Sequence, residues 1–152
     1  AAHPNIDLRI MATHNVSSFQ SDGIDLAVRQ GSPPFGASLD VTLLFKQTLI
    51  AVAAPSITRD APHSFEPETL SKLPKIHDAH DLWPSYLAHL DVPDQSPRGL
   101  RLSQTSLAVD AAIAGQGVAL VSRFLVADDL EVGRLVEVGE AWAGALGEYS
   151  IL

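Results

Sequence analysis

The chain has 152 residues, 46% hydrophobic and 18% charged, so it can bury a sizeable core and wholesale disorder is excluded. Ten Lys and Arg against 18 Asp and Glu leave a net charge of −8, which argues against nucleic acid or a polybasic membrane contact at this segment's own surface. With no cysteine, disulfide frameworks, CxxC redox pairs and Cys-based zinc sites are excluded.

No stretch approaches a bilayer span; the longest apolar run, Leu49 to Pro55, is strand-sized. The first residues lack the basic and apolar regions of a signal peptide. They lead almost at once into a core-like strand, the beginning expected of a piece of something longer. Ile6 to Thr13 alternates, with Ile6, Leu8, Ile10 and Ala12 on one face, and reads as a half-buried or edge strand. After a polar stretch, Gly23 opens a second strand, Ile24 to Gln30. Gly31 ends it, and SPPFG is turn chemistry. Val41 to Phe45 and Leu49 to Ala54 read as strands interrupted by the polar Lys46, Gln47 and Thr48, a break of the kind expected where a chain crosses between two lobes.

Pro67 to Leu73 is a short helix stopped by Pro74, and Lys75 to Asp78 a brief strand. Asp81 is placed to cap the next helix, with Pro84 in its first turn; Trp83, Tyr86, Leu87 and Leu90 form its apolar stripe. Leu100 to Ser103 is a strand. Thr105 or Ser106 can cap the helix Leu107 to Ala114, which is apolar nearly all round and expected to be buried. Gly115 and Gly117 end it. Val118 to Val121 reads as a buried strand, Ser122 to Gly133 as a helix with Asp128 and Asp129 outward, Leu135 to Val138 as a strand, and Gly147 to Leu152 as the start of one more. The alternation implies an α/β architecture with mainly parallel sheets flanked by helices.

In an open α/β lobe, ligands bind beyond the carboxyl ends of the parallel strands. Four loops meet that rule: Thr13-His14, Gly31-Ser32, Thr105-Ser106 and Ser122-Arg123. Thr105 and Ser106 are the sharpest case, because hydroxyls and free amides at a helix start form a neutral site for an anion, such as an amino acid or peptide fragment. The same residue types serve equally as a plain N-cap. Arg29 and Arg123 are candidate charges for the same cleft, His14 a candidate hydrogen-bonding or pH-sensing group, and Phe35 a candidate lid. Each is more often a surface or loop-packing side chain.

His77, Asp78, His80 and Asp81, with His89 on the next helix and His63 in a loop, carry the ligand types of a metal hydrolase. No second cluster completes a coordination shell, so no metal and no cofactor are expected. Asp78 and His80, at a strand end, can instead line the cleft. There is no G-x-S-x-G elbow, and the GQG run ends a helix rather than opening one, so no enzymatic activity is expected.

The strings IDLAVRQG (24–31), LLFKQTLIAVAAP (43–55) and the long run from Arg98 to Val138, together with THN after the first strand, resemble the effector-binding region of LysR-type transcriptional regulators, in the branch of the glycine-cleavage and β-lactamase regulators. The resemblance covers essentially the whole chain. It implies a two-lobed fold like type II periplasmic binding proteins, with the family's first strand and helix missing. Residues 1–48 plus 144–152 would form the first, incomplete lobe and 49–143 the second. A small molecule, anionic on this reading, would bind between them and favour a closed arrangement. The implied partners are a second copy, as homodimer or tetramer, and DNA only through a winged helix-turn-helix absent from this chain, in the cytoplasm and away from membranes. Ile6 to Thr13 and the Trp83 to Leu90 helix are the candidate dimer surfaces. The rivals are a free-standing solute-binding protein and a small metal-dependent hydrolase using His77 and His80.

Overall fold

The computed structural model of the protein describes residues 3–13, 15–16, 18–32, 34–36, 38–58 and 65–152. Its elements are β1 (Val28–Gly31), β2 (Thr42–Ala53), α1 (Pro67–Lys72), β3 (Lys75–His77), α2 (Trp83–His89), β4 (Gly99–Arg101), α3 (Thr105–Ile113), β5 (Val118–Ser122), a 3₁₀ turn (Arg123–Val126), α4 (Ala127–Glu131), β6 (Val136–Glu137) and β7 (Trp142–Ile151). The strands form one mixed sheet in the order β1-β7-β2-β5-β3-β4, with β6 also paired to β2.

β2 runs the length of the sheet. Its first half pairs with β7, Thr42 opposite Ile151, and its second half with β5, Leu49 opposite Ser122. The polar Lys46-Gln47-Thr48 does not break the strand; it marks a register shift against β7 and the passage from a solvent-facing half to one covered on both faces. From Leu49 to Ala53 every side chain is buried, and a strand covered on both sides reads as a continuous apolar run. Odd-numbered residues Leu49, Ala51 and Ala53 pack under α1 and α2 with Leu70, Trp83, Tyr86 and Leu87. Even-numbered Ile50 and Val52 pack with Ile76, Val121, Ala108, Ala112 and Val126 beneath α3 and the 3₁₀ turn. Two helical layers therefore sandwich the sheet, as the α/β expectation requires.

Parallel pairing is confined to β5-β3-β4; the ladders among β1, β7, β2, β5 and β6 are antiparallel, so the sheet is mixed rather than mainly parallel. Ile6 to Thr13 forms no strand and pairs with none of the described strands, and Ile6, Leu8 and Ile10 are 66%, 75% and 81% exposed. Period-two alternation specifies which face a strand would bury, not the neighbour that must supply its hydrogen bonds. The second expected strand shortens to Val28–Gly31, with Ala27 and Leu152 extending its ladder to β7.

α2 buries Trp83, Tyr86 and Leu87, so its apolar stripe belongs to the core and is not a free dimer surface. Asp81 does not cap this helix. The N-cap is Leu82, and Asp81, held at φ 44°, turns its carboxylate to His77 and Arg101. α3 buries one face only: Ala108, Ala111 and Ala112 are covered while Leu107 is exposed. Gly115, at φ 74°, ends it in a Schellman motif: the Gly115 and Gln116 N–H groups donate to the Ala112 and Ala111 carbonyls. The expected helix from Ser122 to Gly133 is split into the 3₁₀ turn and α4. Asp128 faces outward, but Asp129 is buried, accepting from Arg134 Nε at 2.7 Å and pairing with Nη2 at 2.6 Å.

Candidate functional site

Where β2 passes from one half of the sheet to the other, a crevice of about 60 Å³ opens beyond the carboxyl ends of β3 and β5. Gln30 of β1, Gln47 of β2 and Tyr149 of β7 line it from one side. Asp78, His80, Thr105 and Ser122 line it from the other, over an apolar floor that includes Leu49, Leu120 and Val121. The polar groups are chained together. Tyr149 OH donates to Gln30 Oε1 at 3.3 Å, Gln30 Nε2 to Gln47 Oε1 at 3.0 Å, and Gln47 Nε2 to Ser122 Oγ. Gln47 and Ser122 are 5% and 3% exposed, so this buried amide is satisfied on both sides, as burial demands.

The tyrosine is held by rings. Phe45 of β2 stacks on it at 4.9 Å, and Phe124 of the 3₁₀ turn meets both rings, at 4.8 Å from Phe45 and 5.4 Å from Tyr149. Burial pushes the Tyr149 phenol above its usual range, so it stays a neutral donor at physiological pH.

At the other side, Thr105 opens α3 without capping it. The N-cap is Gln104, no side chain caps the helix, and Thr105 Oγ1 donates to Asp78 Oδ2 at 2.5 Å. Asp78 Oδ1 accepts the His80 backbone N–H at 3.0 Å. The first N–H groups of α3 have no carbonyl within the helix to donate to.

Of the expected ligand residues, the fold brings Thr105 and Ser122 into this crevice, with Asp78 and His80 beside them. Gly31 follows Gln30 on β1, and Phe35, the expected lid, packs its ring against Gly31, 3.3 Å from where a Cβ would stand. Thr13 is exposed and accepts the Asn15 N–H; Ser32 and Ser106 are exposed and outside the lining. Arg123 is turned outward to Glu137, 2.8 Å away, and Arg29 lies over the Phe19 ring. His14 and His63 lie outside the described residues.

Gln30, Gln47 and Tyr149 were not among the expected residues. A lone glutamine inside an apolar strand is a usable signal, because it is costly to bury without partners. Gln30 and Tyr149 sit on antiparallel strands, where the rule of carboxyl strand ends does not reach.

The histidine-aspartate cluster does not converge on one point. His77 is buried beneath the sheet's α2 face, its Nδ1 2.6 Å from Asp81 Oδ1, while Asp78 turns to Thr105 and His89 stacks on Trp142. The hydrogen bond with His77, then that with Arg101, holds the Asp81 carboxyl below the usual carboxylate range. Among the described residues, no group of three or more metal-binding side chains comes together, and no helix is long and apolar enough to cross a membrane.

The model of the LysR substrate binding domain matches residues 1–151. The chain belongs to the LysR substrate-binding domain family. It is 32% identical over 142 residues to the glycine cleavage system transcriptional activator of Escherichia coli K12, an alignment covering 90% of this chain and 45% of the relative. It is 27% identical over 137 residues to the HTH-type transcriptional activator AmpR of Citrobacter koseri, covering 89% and 46%. The chain thus spans just under half the length of these curated relatives. Among solved structures, the effector domain of AmpR from Pseudomonas aeruginosa matches with a TM-score of 0.74 at 23% identity, covering 99% of this chain and 72% of that one. The full-length virulence activator AphB of Vibrio cholerae matches with a TM-score of 0.72 at 21% identity, covering 99% and 52%. Membership of the LysR substrate-binding domain family thus accounts for the fold.

Proposed function

We propose that this LysR domain is the effector-sensing and dimerising part of a DNA-binding transcriptional regulator, and that its crevice takes a small polar molecule. One observation carries the reading: the chain Tyr149–Gln30–Gln47–Ser122 spans both halves of the sheet, so a molecule seated there touches both. In the proposed arrangement, residues 1–48 with 144–152 are one lobe and 49–143 the other, β2 and β7 being the connections. An effector that binds the closed arrangement more tightly shifts the population towards it by that difference in affinity. In the parent, the shift reorients paired DNA-binding modules. The similarity to the glycine cleavage system transcriptional activator and to the HTH-type transcriptional activator AmpR supports this.

The site binds rather than reacts. Ser122 Oγ is engaged by a glutamine amide, not by a base that would activate it as a nucleophile. Assembly as a homodimer or tetramer is supported by the exposed apolar face of Ile6, Leu8 and Ile10, and cytoplasmic location follows from the role on DNA. The test is a thermal-shift screen of amino acids, short peptides and aromatic acids against this chain and its full-length parent. At least one compound raises Tm, and Ser122→Val removes the shift. A Tm rise untouched by Ser122→Val, or no rise in either protein, contradicts the reading.

A further inference from the structure

The direction of the hydrogen bonds leaves one side of the crevice with both acceptors and donors to offer. We propose that its ligand is a zwitterionic amino acid whose ammonium group is held by Asp78 and Thr105 Oγ1. This rests on the effector reading above and narrows it. Among the described residues, Asp78 is the only carboxylate in the lining, and no Lys or Arg joins it there. No cation of the described residues pairs with Asp78; nearby Arg101 and Arg123 are committed to Asp81 and Glu137. A carboxylate has about four lone-pair sites. Asp78 uses one for the Thr105 hydroxyl and one for the His80 N–H, leaving acceptor capacity on both oxygens. Because Thr105 spends its only proton on Asp78, its oxygen offers lone pairs to the crevice and no donor. The side-chain oxygens of Asp78 and Thr105 thus offer the crevice acceptors only, which suits an N–H⁺ group.

Ser122 has the opposite polarity. Its oxygen accepts from Gln47 Nε2, so its own proton is left to donate. The unpaired N–H groups at the start of α3 add donors and partial positive charge. A carboxylate fits there without any basic side chain. Acceptors and donors next to each other, in a space of about 60 Å³, match the head of an amino acid, whose ammonium and carboxylate flank one carbon; a simple carboxylic acid would leave Asp78 facing its negative charge.

The experiment is titration calorimetry of this chain with the twenty L-amino acids, D-alanine and their deaminated counterparts, such as propanoate for alanine. The expected result is that an amino acid binds and its deaminated partner binds roughly ten- to a hundredfold more weakly, the worth of a hydrogen bond to a charged group. Asp78→Asn shrinks that ratio below about threefold while circular dichroism stays unchanged, and Thr105→Val weakens the amino acid alone. The comparison of ligand pairs on the unmodified chain needs no variant to fold. A deaminated acid that binds as tightly as its amino acid overturns this inference and leaves the effector reading intact. No binding by any compound of the series also overturns this inference alone, whereas binding that ignores both Ser122→Val and Asp78→Asn overturns both.

Discussion

Tyr86 joins α2 to the segment that leads into β7, and replacing it with phenylalanine gives a prediction whose sign changes with pH. Its ring is buried between Trp83 and Trp142, and its hydroxyl donates to the Glu140 carbonyl at 2.6 Å. Tyr86→Phe keeps the ring and removes that bond, at a cost of about 1 kcal/mol near neutral pH. Burial, reinforced by the charges of Glu140 and Glu137, pushes the Tyr86 phenol up to about 12 from its ordinary 10.0. The folded state therefore holds this proton more tightly than the unfolded chain. The stability it contributes is fully present below pH 10 and is lost as pH climbs towards 12.

At pH ~11 that loss is on the order of 1 kcal/mol, comparable to the bond it removes, so the stabilities of the wild type and Tyr86→Phe converge and cross as pH rises towards 12. Urea unfolding of both proteins from pH 8 to 11.5 measures it. Contributions common to both proteins cancel in the difference. A gap that stays constant across the range would refute the reasoning.

Lys75 and Asp94 give an asymmetric pair. The Lys75 ammonium is fully buried and meets Asp94 at 2.8 Å and the Ser71 carbonyl at 2.7 Å, while Asp94 keeps some contact with water. Asp94→Ala strands a buried charge and costs roughly 3 kcal/mol, whereas Lys75→Met, whose released carboxylate can hydrate, costs about half that. Chemical denaturation that ranks the two the other way contradicts this. Gln47→Leu removes the amide that links Gln30 to Ser122 and takes its donor from the buried Ser122 hydroxyl, lowering stability by about 1 kcal/mol despite the added apolar contact. A melting temperature at or above wild type would show that the chain of amides is dispensable.

Much of the fold was legible because local chemistry and tertiary environment agree in it. The stripe Trp83, Tyr86, Leu87 marks α2 and is buried as its spacing requires, and the β5 run Val118–Val121 is buried throughout. The glycines after α3 end it in the expected way. The failures come from partners distant in sequence. Asp81 has the right chemistry for a helix cap, but His77 and Arg101 compete for its carboxylate and win. Ile6 to Thr13 carries the pattern of a strand without a described strand to pair with. At the site, Thr105 and Ser122 were legible from the rule of carboxyl strand ends. Gln47 had the look of an interruption; in the fold that polar interruption is the middle of the hydrogen-bond chain. Tyr149 reaches the crevice only because β7 lies antiparallel beside β1 and β2.

The central claim is that a small effector sits between the two halves of the sheet. The most direct measurement is a map of amide chemical-shift changes in ¹⁵N-labelled protein titrated with the tightest-binding amino acid from the calorimetric series. The account predicts the largest changes together at Gln47, Asp78, Thr105 and Ser122. Changes gathered elsewhere, with those four unmoved, would contradict it.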